Sequence, residues 1–246
     1  MTRPRTPTLL CILVAVALLV QPTSQSAAHT GDFYPWWYPI GIDDVPVYFD
    51  DDFPSGSARN RVIDGMKQWN RVGRRMYYLG HRSASISSNA DEPKLNRYQT
   101  HCPTPDVGGR RVGMIHWGPI DGPGGFVGAT GWCWKTGELG GRHIKSFRAY
   151  FDRTEDWYTG TGNSTTRNRL TGVYEDHLDM WSVATHELGH GTGWLGHWNK
   201  STPFCSYSTS ASRTRTMCPK IKQGYERLRT LTGGDEHVFR SAYGSR

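Results

Sequence analysis

The chain has 246 residues, of which 36% are hydrophobic and 21% charged, and this mixture excludes a disordered or low-complexity polymer. The length suffices for one large domain or two small ones. The formal net charge is +7, but the arginine pairs at 74–75 and 110–111 are isolated, so no basic tract predicts a nucleic-acid partner. We interpret the charge as a surface that favours solubility, with an acidic partner such as nucleic acid or a cell-wall polymer as the less favoured alternative.

The first 28 residues have the order of a secretory signal peptide. Arg3 and Arg5 precede an uncharged apolar run over 9–20, and small residues lead to a cleavage site near Ala28. The run is shorter than the roughly 20 residues of a membrane-spanning helix, so a membrane anchor is the less favoured reading. We predict a signal peptide over 1–28 and a secreted, extracellular domain over 29–246, without stable membrane insertion. Loss of the two arginines lowers the net charge from +7 to +5.

Secretion changes how the cysteines are interpreted. Without Cys11, which lies in the apolar run, four cysteines remain, and an even number in an oxidising compartment predicts two disulfides. Four cysteines allow three pairings. The nearest-neighbour pairing, Cys102–Cys133 with Cys205–Cys218, is the one that we favour, and each bond would contribute about 3 kcal/mol.

The first half of the mature chain predicts strands around one helix. Alternation favours a strand at 45–49, and apolar residues at helical spacing predict a helix over 58–69, with Ser55 or Ser57 as its cap and Gly73 as its stop. Further strands are predicted at 76–79, 112–117, 126–134 (an edge strand) and 147–151, with a long polar loop over 83–106 and a Gly/Pro turn at 121–125.

The second half predicts helices. Leu178, Trp181, Thr185 and Leu188 form one stripe of a helix from about Tyr174 to Thr192. A Ser/Thr-rich loop follows over 199–216. Helical patterning returns around 221–228 and again around 238–242.

The predicted helix carries the pattern that bears the chemistry. His186-Glu-Leu-Gly-His190 fits H-E-x-x-H, in which two histidines four apart lie on one side of a helix and reach one ion. Glu187 projects beside them, where it can accept a proton from a water. Gly191 and Gly193 can end the helix with positive φ, and His197 follows as a third candidate ligand. A helix with two surface histidines and a salt-bridging glutamate is the plainer alternative.

The extended sequence His186-Glu-Leu-Gly-His190-Gly-Thr-Gly193-Trp-Leu-Gly-His197 resembles the motif of the metzincin metallopeptidases, H-E-x-x-H-x-x-G-x-x-H. Ser182-Val-Ala-Thr185 resembles the matrixin branch, which includes the matrix metalloproteinases. Met217-Cys218-Pro219 resembles that family's Met-turn, which passes beneath the metal. One departure is evident, because His197 follows His186 by eleven residues where the family pattern has ten.

The resemblance also implies metal sites outside the motif. Asp121-Gly-Pro-Gly-Gly-Phe126 resembles the matrixin loop that binds calcium, and the stretch from Asp152 to Glu155 resembles the strand end that completes the site. The calcium ligands that this implies are Asp121, Gly122, Gly124, Asp152 and Glu155, and an ordinary turn beside an acidic strand end is the alternative. The family's second, structural zinc needs several histidines; only His116 lies in that region, so we expect this zinc to be absent.

Two features of the middle region remain open. Cys102, in His101-Cys-Pro-Thr-Pro-Asp106, resembles the inhibitory cysteine of matrixin propeptides, and a disulfide is the favoured alternative. Trp132 and Trp134 flank Cys133 on the predicted edge strand. In metzincins such a strand pairs with an extended substrate, but the indoles would equally pack around a disulfide.

Together these features predict an α+β, metzincin-like domain with a twisted, mixed five-stranded sheet, an active-site helix and a C-terminal helix. The expected function is that of a monomeric, secreted zinc-dependent endopeptidase that acts on protein or peptide substrates. Its zinc would be held by His186, His190 and His197, with Glu187 as general base. Two rivals are a secreted metal-containing binding module without catalysis and a zinc hydrolase of cell-wall peptide crosslinks.

Overall fold

The computed structural model describes residues 45–72, 76–78, 112–136, 142–167, 174–194, 196–198, 205, 215–221 and 223–244. The predicted signal peptide, the polar loop over 83–106, Gly73 and Cys102 lie outside these residues. Among the described residues, no helix has the length and apolar character needed to cross a membrane.

The described residues form a mixed α+β fold with three α-helices. The strands of its main sheet are β1 (Val45–Phe49), β2 (Tyr77–Tyr78), β3 (Val112–Gly118), β4 (Gly128–Thr136) and β5 (Arg142–Asp152). Four shorter strands form two pairs, namely β6 (Trp157–Tyr158) with β9 (Leu178–Asp179) and β7 (Thr165–Arg167) with β8 (Tyr174–Asp176). The helices are α1 (Ser57–Val72), α2 (Met180–Gly191) and α3 (Gly233–Tyr243), with a 3₁₀ turn at Arg227–Arg229.

The main sheet has the order β2-β1-β3-β5-β4, in which the first four strands are parallel and β4 runs antiparallel to β5. This confirms a mixed five-stranded sheet with β4 at its edge. Alternate residues of β1 and β5 point to the helices and are buried, for example Val47, Phe147 and Phe151. Burial of each such side chain contributes about 1.5–3 kcal/mol, which is why the alternating pattern fixes which face of the sheet meets the helices.

Helices α1 and α2 pack closely against each other. A Cβ atom at Gly65 would lie 3.0 Å from the backbone nitrogen of Thr185, so glycine lets the two backbones approach. The buried indole of Trp69 donates a hydrogen bond to the Thr185 carbonyl at 2.8 Å. The position of α2 relative to α1 is therefore fixed by close backbone approach and by a buried hydrogen bond.

The predicted start of the active-site helix at Tyr174 is wrong, because α2 begins at Met180. Residues 174–176 and 178–179 instead pair with strands β7 and β6. Buried Asp179 caps the helix by accepting a hydrogen bond from the Ser182 N–H at 2.9 Å, and Arg229 binds both oxygens of this carboxylate.

The helix predicted around 221–228 is also wrong, because none of the described residues of that span is α-helical. Gly224 has φ +70°, which interrupts an α-helix, and only the short 3₁₀ turn follows it. The last predicted helix is confirmed as α3, in which Phe239 is buried against the core.

Candidate metal centre

Helix α2 carries three of the predicted site residues. His186, Glu187 and His190 lie in its second half, and each side chain is at most 5% exposed. Thr192 caps the helix, and Gly193 follows with φ +108°, a conformation that glycine adopts without steric cost. Of the two glycines predicted to end the helix, Gly193 does so, whereas Gly191 remains within it.

The chain then turns back and brings His197 to the helix. The Nε2 atom of His197 lies 3.2 Å from Nε2 of His186 and 3.2 Å from Nε2 of His190. Nitrogen ligands about 2.0–2.1 Å from a tetrahedral ion are separated by about 3.3–3.4 Å, so these spacings fit one tetrahedral site. Among the described residues, these three histidines form a group of potential metal ligands whose ligand atoms all lie within 4.8 Å of one another. The additional residue before His197 does not prevent convergence.

The second nitrogens of two rings are held by backbone carbonyls. Nδ1 of His186 bonds to the Thr216 carbonyl at 2.7 Å, and Nδ1 of His190 bonds to the Trp194 carbonyl at 2.6 Å. A carbonyl only accepts, so each Nδ1 carries the proton and each Nε2 keeps its lone pair. Such outer contacts fix both tautomer and ring orientation in metal sites.

The surroundings favour the neutral form of all three imidazoles, because the pKa of each ring is lowered. Burial lowers the pKa of His186 to about 3, with a further lowering from His197 and an opposing effect of the Thr216 carbonyl. Burial and the other two histidines lower the pKa of His190 well below its ordinary value, and burial lowers the pKa of His197. Neutral imidazole is the form that binds a metal, so the trio can hold a cation without first losing protons.

Glu187 points to the edge strand β4. Its Oε2 accepts a hydrogen bond from the Thr130 hydroxyl at 2.7 Å, and the same hydroxyl lies 3.1 Å from the Glu187 carbonyl oxygen. Burial raises the pKa of Glu187 to about 7, although the Thr130 hydrogen bond works in the opposite direction. A carboxyl with a pKa near neutrality suits general acid–base chemistry. Sequence reasoning missed Thr130, since the partner lies 57 positions away from Glu187.

Trp132, two residues further along β4, contacts the second histidine. Its indole N–H donates to the His190 carbonyl at 2.7 Å, and its ring packs edge-on against the imidazole with centroids 5.7 Å apart. These contacts place the indole against His190, and they test neither the pairing of β4 with a substrate nor the packing of the indoles around a disulfide. The side chains of Cys133 and Trp134 lie outside the described set, as does the predicted bond Cys102–Cys133.

Met217 lies beneath the helix turn that carries the histidines. It is fully buried, and a Cβ atom at Gly189 would lie 2.2 Å from its sulfur. The next residue, Cys218, forms a disulfide with Cys205, which confirms that predicted pair. Residues 216 and 217 therefore supply both the carbonyl that orients His186 and the apolar floor below α2.

A buried carboxylate on α3 holds this floor in place, and sequence reasoning missed it. Asp235 accepts hydrogen bonds from the Thr216 N–H at 3.0 Å and from the Trp198 indole at 2.8 Å. It also accepts from the N–H and hydroxyl of Thr232, the cap of α3. Thr232-x-x-Asp235 is a capping-box pattern, so a search for helix caps would have found the residue but not its link to the metal centre.

The residues predicted to bind calcium are brought together but bond to the backbone. Asp152 is fully buried and accepts from the N–H groups of Ile120 and Asp121 at 3.0 and 3.2 Å, while Glu155 accepts from Gly124 at 2.6 Å. Asp121 accepts from the Phe126 N–H at 2.9 Å. These carboxylates do not form a second cluster of converging ligand atoms among the described residues. Calcium binding there stays a prediction.

Two other histidines have partners of their own. His177, which falls within the span predicted for the active-site helix, lies between β8 and β9 and bonds to Asp156 at 2.5 Å and Thr166 at 2.6 Å. His116 bonds to buried Asp50 at 2.9 Å and stacks on Tyr150. Neither residue belongs to the metal centre.

The chain was also compared with known proteins. No protein-family model matches it, and no curated protein sequence matches it significantly. The metal centre is therefore interpreted from its own geometry.

Proposed function

We propose that this chain is a secreted zinc-dependent endopeptidase of the metzincin type, in its matrixin branch. The observation that carries the proposal is the convergence of the Nε2 atoms of His186, His190 and His197, with Glu187 next to the first of them on the same helix. The mixed sheet with its antiparallel edge strand is compatible with the fold that the sequence motif implies. The Cys205–Cys218 disulfide is consistent with an oxidising, extracytoplasmic compartment.

Zinc is the metal that we propose for this donor set. Imidazole ligands suit zinc among several transition metals, and a catalytic zinc site has three protein ligands with a fourth position left open. When bound, zinc polarises a carbonyl and lowers the pKa of a coordinated water to about 7. The three imidazoles would hold the ion while the Thr216 and Trp194 carbonyls keep two of the rings in orientation.

Glu187 would act as the general base. Its carboxylate would accept a proton from the attacking water and pass it to the nitrogen of the leaving amine, so that one group serves both halves of peptide hydrolysis. Burial and the Thr130 hydrogen bond hold it on the β4 side of the helix. Proton transfer of this kind contributes typically about 10²–10⁴-fold to a rate.

Strand β4 supports a protein or peptide as the substrate class. This strand pairs with β5 on one side only within the described sheet, so its other edge can offer backbone groups to an extended peptide. Thr130 and Trp132 of the same strand bond to Glu187 and His190, and a Cβ atom added at Gly128 would lie 3.0 Å from Glu187. A peptide bound along β4 would therefore lie next to the candidate metal centre.

Metal analysis of the purified protein, combined with a peptide-library assay, tests the proposal. We expect about one zinc per chain and peptide cleavage that a chelator abolishes and zinc restores. Glu187→Gln should keep the metal and lose at least about 10²-fold in kcat. A protein that binds zinc but cleaves neither casein nor any peptide would instead be a binding module. Cleavage confined to cell-wall peptide crosslinks would identify the hydrolase alternative.

A further inference from the structure

Three residues of β4 that face α2 lie beside Glu187 and His190. Residues 128, 130 and 132 alternate along the strand, so their side-chain positions face the same way. All three positions meet α2 within one helical turn, at Glu187 or His190. We propose that Thr130 is a positioning residue for the Glu187 carboxylate and that Gly128 provides the space which this carboxylate occupies. The inference rests on the proposed function and identifies what holds its general base in place.

Thr130 directs the Glu187 carboxylate toward β4 through a hydrogen bond. Its hydroxyl is 2.7 Å from Oε2 of Glu187 and belongs to a side chain only 8% exposed. A hydroxyl that donates to a carboxylate forms one of the stronger hydrogen bonds in proteins. A second contact from the same hydroxyl to the Glu187 carbonyl, at 3.1 Å, ties the threonine to the backbone of the residue that it positions. The carboxylate is therefore held at a defined distance from the strand.

Gly128 leaves the space that the Glu187 carboxylate occupies beside β4. A Cβ atom there would lie 3.0 Å from Oε1, 3.1 Å from Cγ and 3.2 Å from Cδ of Glu187. An alanine would push the carboxylate away from β4, because these separations are tighter than ordinary van der Waals contact. The hydrogen bond holds one carboxylate oxygen, and the other occupies space that a side chain at position 128 would need.

This arrangement makes the geometry of the base depend on the same strand that would pair with the substrate. A peptide bound along the outer edge of β4 would be in register with the residues that hold Glu187. Proton transfer requires heavy atoms within hydrogen-bond reach, so small displacements of either partner lower the rate.

The test compares Thr130→Val with Thr130→Ser in the zinc-loaded protein. Valine keeps the shape and removes the hydroxyl, and we expect kcat to fall about 10- to 100-fold while KM changes by less than about twofold. Serine restores the donor and should recover most of the activity. Crystal structures should show the Glu187 carboxylate displaced in the valine variant and in its original position in the serine variant, with zinc content unchanged in both.

Two controls separate positioning from general damage. Thr165→Val removes another hydroxyl that donates to a carboxylate, that of Asp176 at 2.6 Å, and should leave kcat unchanged. Gly128→Ala should lower kcat and displace the carboxylate even if the Thr130 variants fold poorly. Gly118→Ala is its matched control, because a Cβ atom at Gly118 has no heavy atom within 4 Å.

The outcomes distinguish this inference from the proposed function. A carboxylate that keeps its position in both Thr130→Val and Gly128→Ala would overturn the inference, as would a serine variant as impaired as the valine variant. If the wild-type protein cleaves no peptide, the proposed function fails, but the carboxylate positions in the variant structures still decide whether Thr130 and Gly128 place this side chain.

Discussion

The candidate metal centre (His186, His190 and His197) and the acidic loop (residues 120–126 with Asp152 and Glu155) offer two kinds of candidate ligand, and their ligand atoms make different hydrogen bonds. In the metal centre, backbone carbonyls bond to Nδ1 of His186 and His190, and the Nε2 atoms converge within 3.2 Å of that of His197. In the acidic loop, backbone N–H groups bond directly to the carboxylate oxygens that a cation would need. The first arrangement orients ligands toward a common point, whereas in the second the carboxylate oxygens already accept hydrogen bonds from the loop backbone.

The direction of these hydrogen bonds, in addition to the proximity of the ligand atoms, makes the histidine trio the stronger candidate for a metal site. A histidine has one nitrogen to anchor and one to coordinate, so anchoring and binding are compatible. A carboxylate that accepts several N–H bonds stabilises the loop by itself, and a cation would have to replace or share those bonds. Substitutions in the two regions should therefore have different consequences.

Loss of a converging histidine should have the largest effect. We expect His197→Ala to abolish stoichiometric zinc binding and to lower kcat/KM about 10³-fold or more, since the Lewis-acid contribution of the metal disappears. Metal analysis after dialysis and a peptide assay measure both. His237→Ala, which alters an exposed histidine on α3, is the control and should keep zinc and activity. Full zinc occupancy in His197→Ala would show that the third ligand comes from elsewhere.

Added volume beneath the metal centre should be the next most damaging change. In Gly189→Ala the new methyl group would lie 2.2 Å from the Met217 sulfur and 2.6 Å from Cζ2 of Trp69, both on buried side chains. Overpacking of this kind costs about 1–3 kcal/mol, and displacement of the 216–217 segment would disturb the carbonyl that orients His186. Thermal unfolding of the metal-free variant measures the overpacking cost, and thermal unfolding of the zinc-loaded variant measures the disturbance of the metal centre. An unchanged melting temperature in both states would contradict the close packing.

The acidic loop should respond to pH. Burial alone would raise the pKa of Asp152, but hydrogen bonds from Thr154, Ile120 and Asp121 outweigh it and hold the pKa below its ordinary value. A lowered folded-state pKa stabilises the protein at pH values above the unfolded value of about 3.9, and this stabilisation is lost as the pH falls through the folded-state pKa. Asp152→Asn should therefore be less stable than wild type at neutral pH, with the difference shrinking below about pH 4.

Denaturant unfolding of both proteins between neutral and acid pH measures this difference, and a constant gap would contradict the pKa assignment. The same pair of proteins tests the calcium prediction. If Asp152 binds calcium, added calcium should raise the melting temperature of the wild type more than that of Asp152→Asn. Equal shifts would leave the loop stabilised by its own hydrogen bonds alone.

Local patterns predicted the parts of the site that depend on local geometry. Helical spacing brought His186, Glu187 and His190 to one helix, and Gly193 predicted the end of that helix. The start of α2 was misplaced because the strand pairing that replaces its predicted first turns is non-local. Residues 178–179 pair with Trp157 and Tyr158, about 20 positions earlier. A single-sequence pattern contains no information about that pairing.

The supports of the site were harder to predict for the same reason. Thr130 contacts Glu187 across 57 positions, and Asp235 contacts Thr216 across 19. Neither residue type is unusual in its own segment, where the first resembles any strand residue and the second any helix cap. Their roles depend on how the sheet edge and α3 dock against α2, which the sequence does not specify at the level of a motif.

The smallest effect is expected in the acidic loop, where space is available but the backbone conformation is special. Gly124 has φ +81°, and a Cβ atom there would meet no heavy atom within 4 Å. Gly124→Ala should therefore cost only the backbone term of about 1 kcal/mol, which lowers the melting temperature by about 2–4 °C. Zinc content and peptidase activity should not change. Gly118→Ala, which has equal space and no positive φ, is the matched control and should not lower the melting temperature. A loss of zinc in Gly124→Ala would show that the acidic loop is coupled to the metal centre, and the two regions would then have to be treated as one.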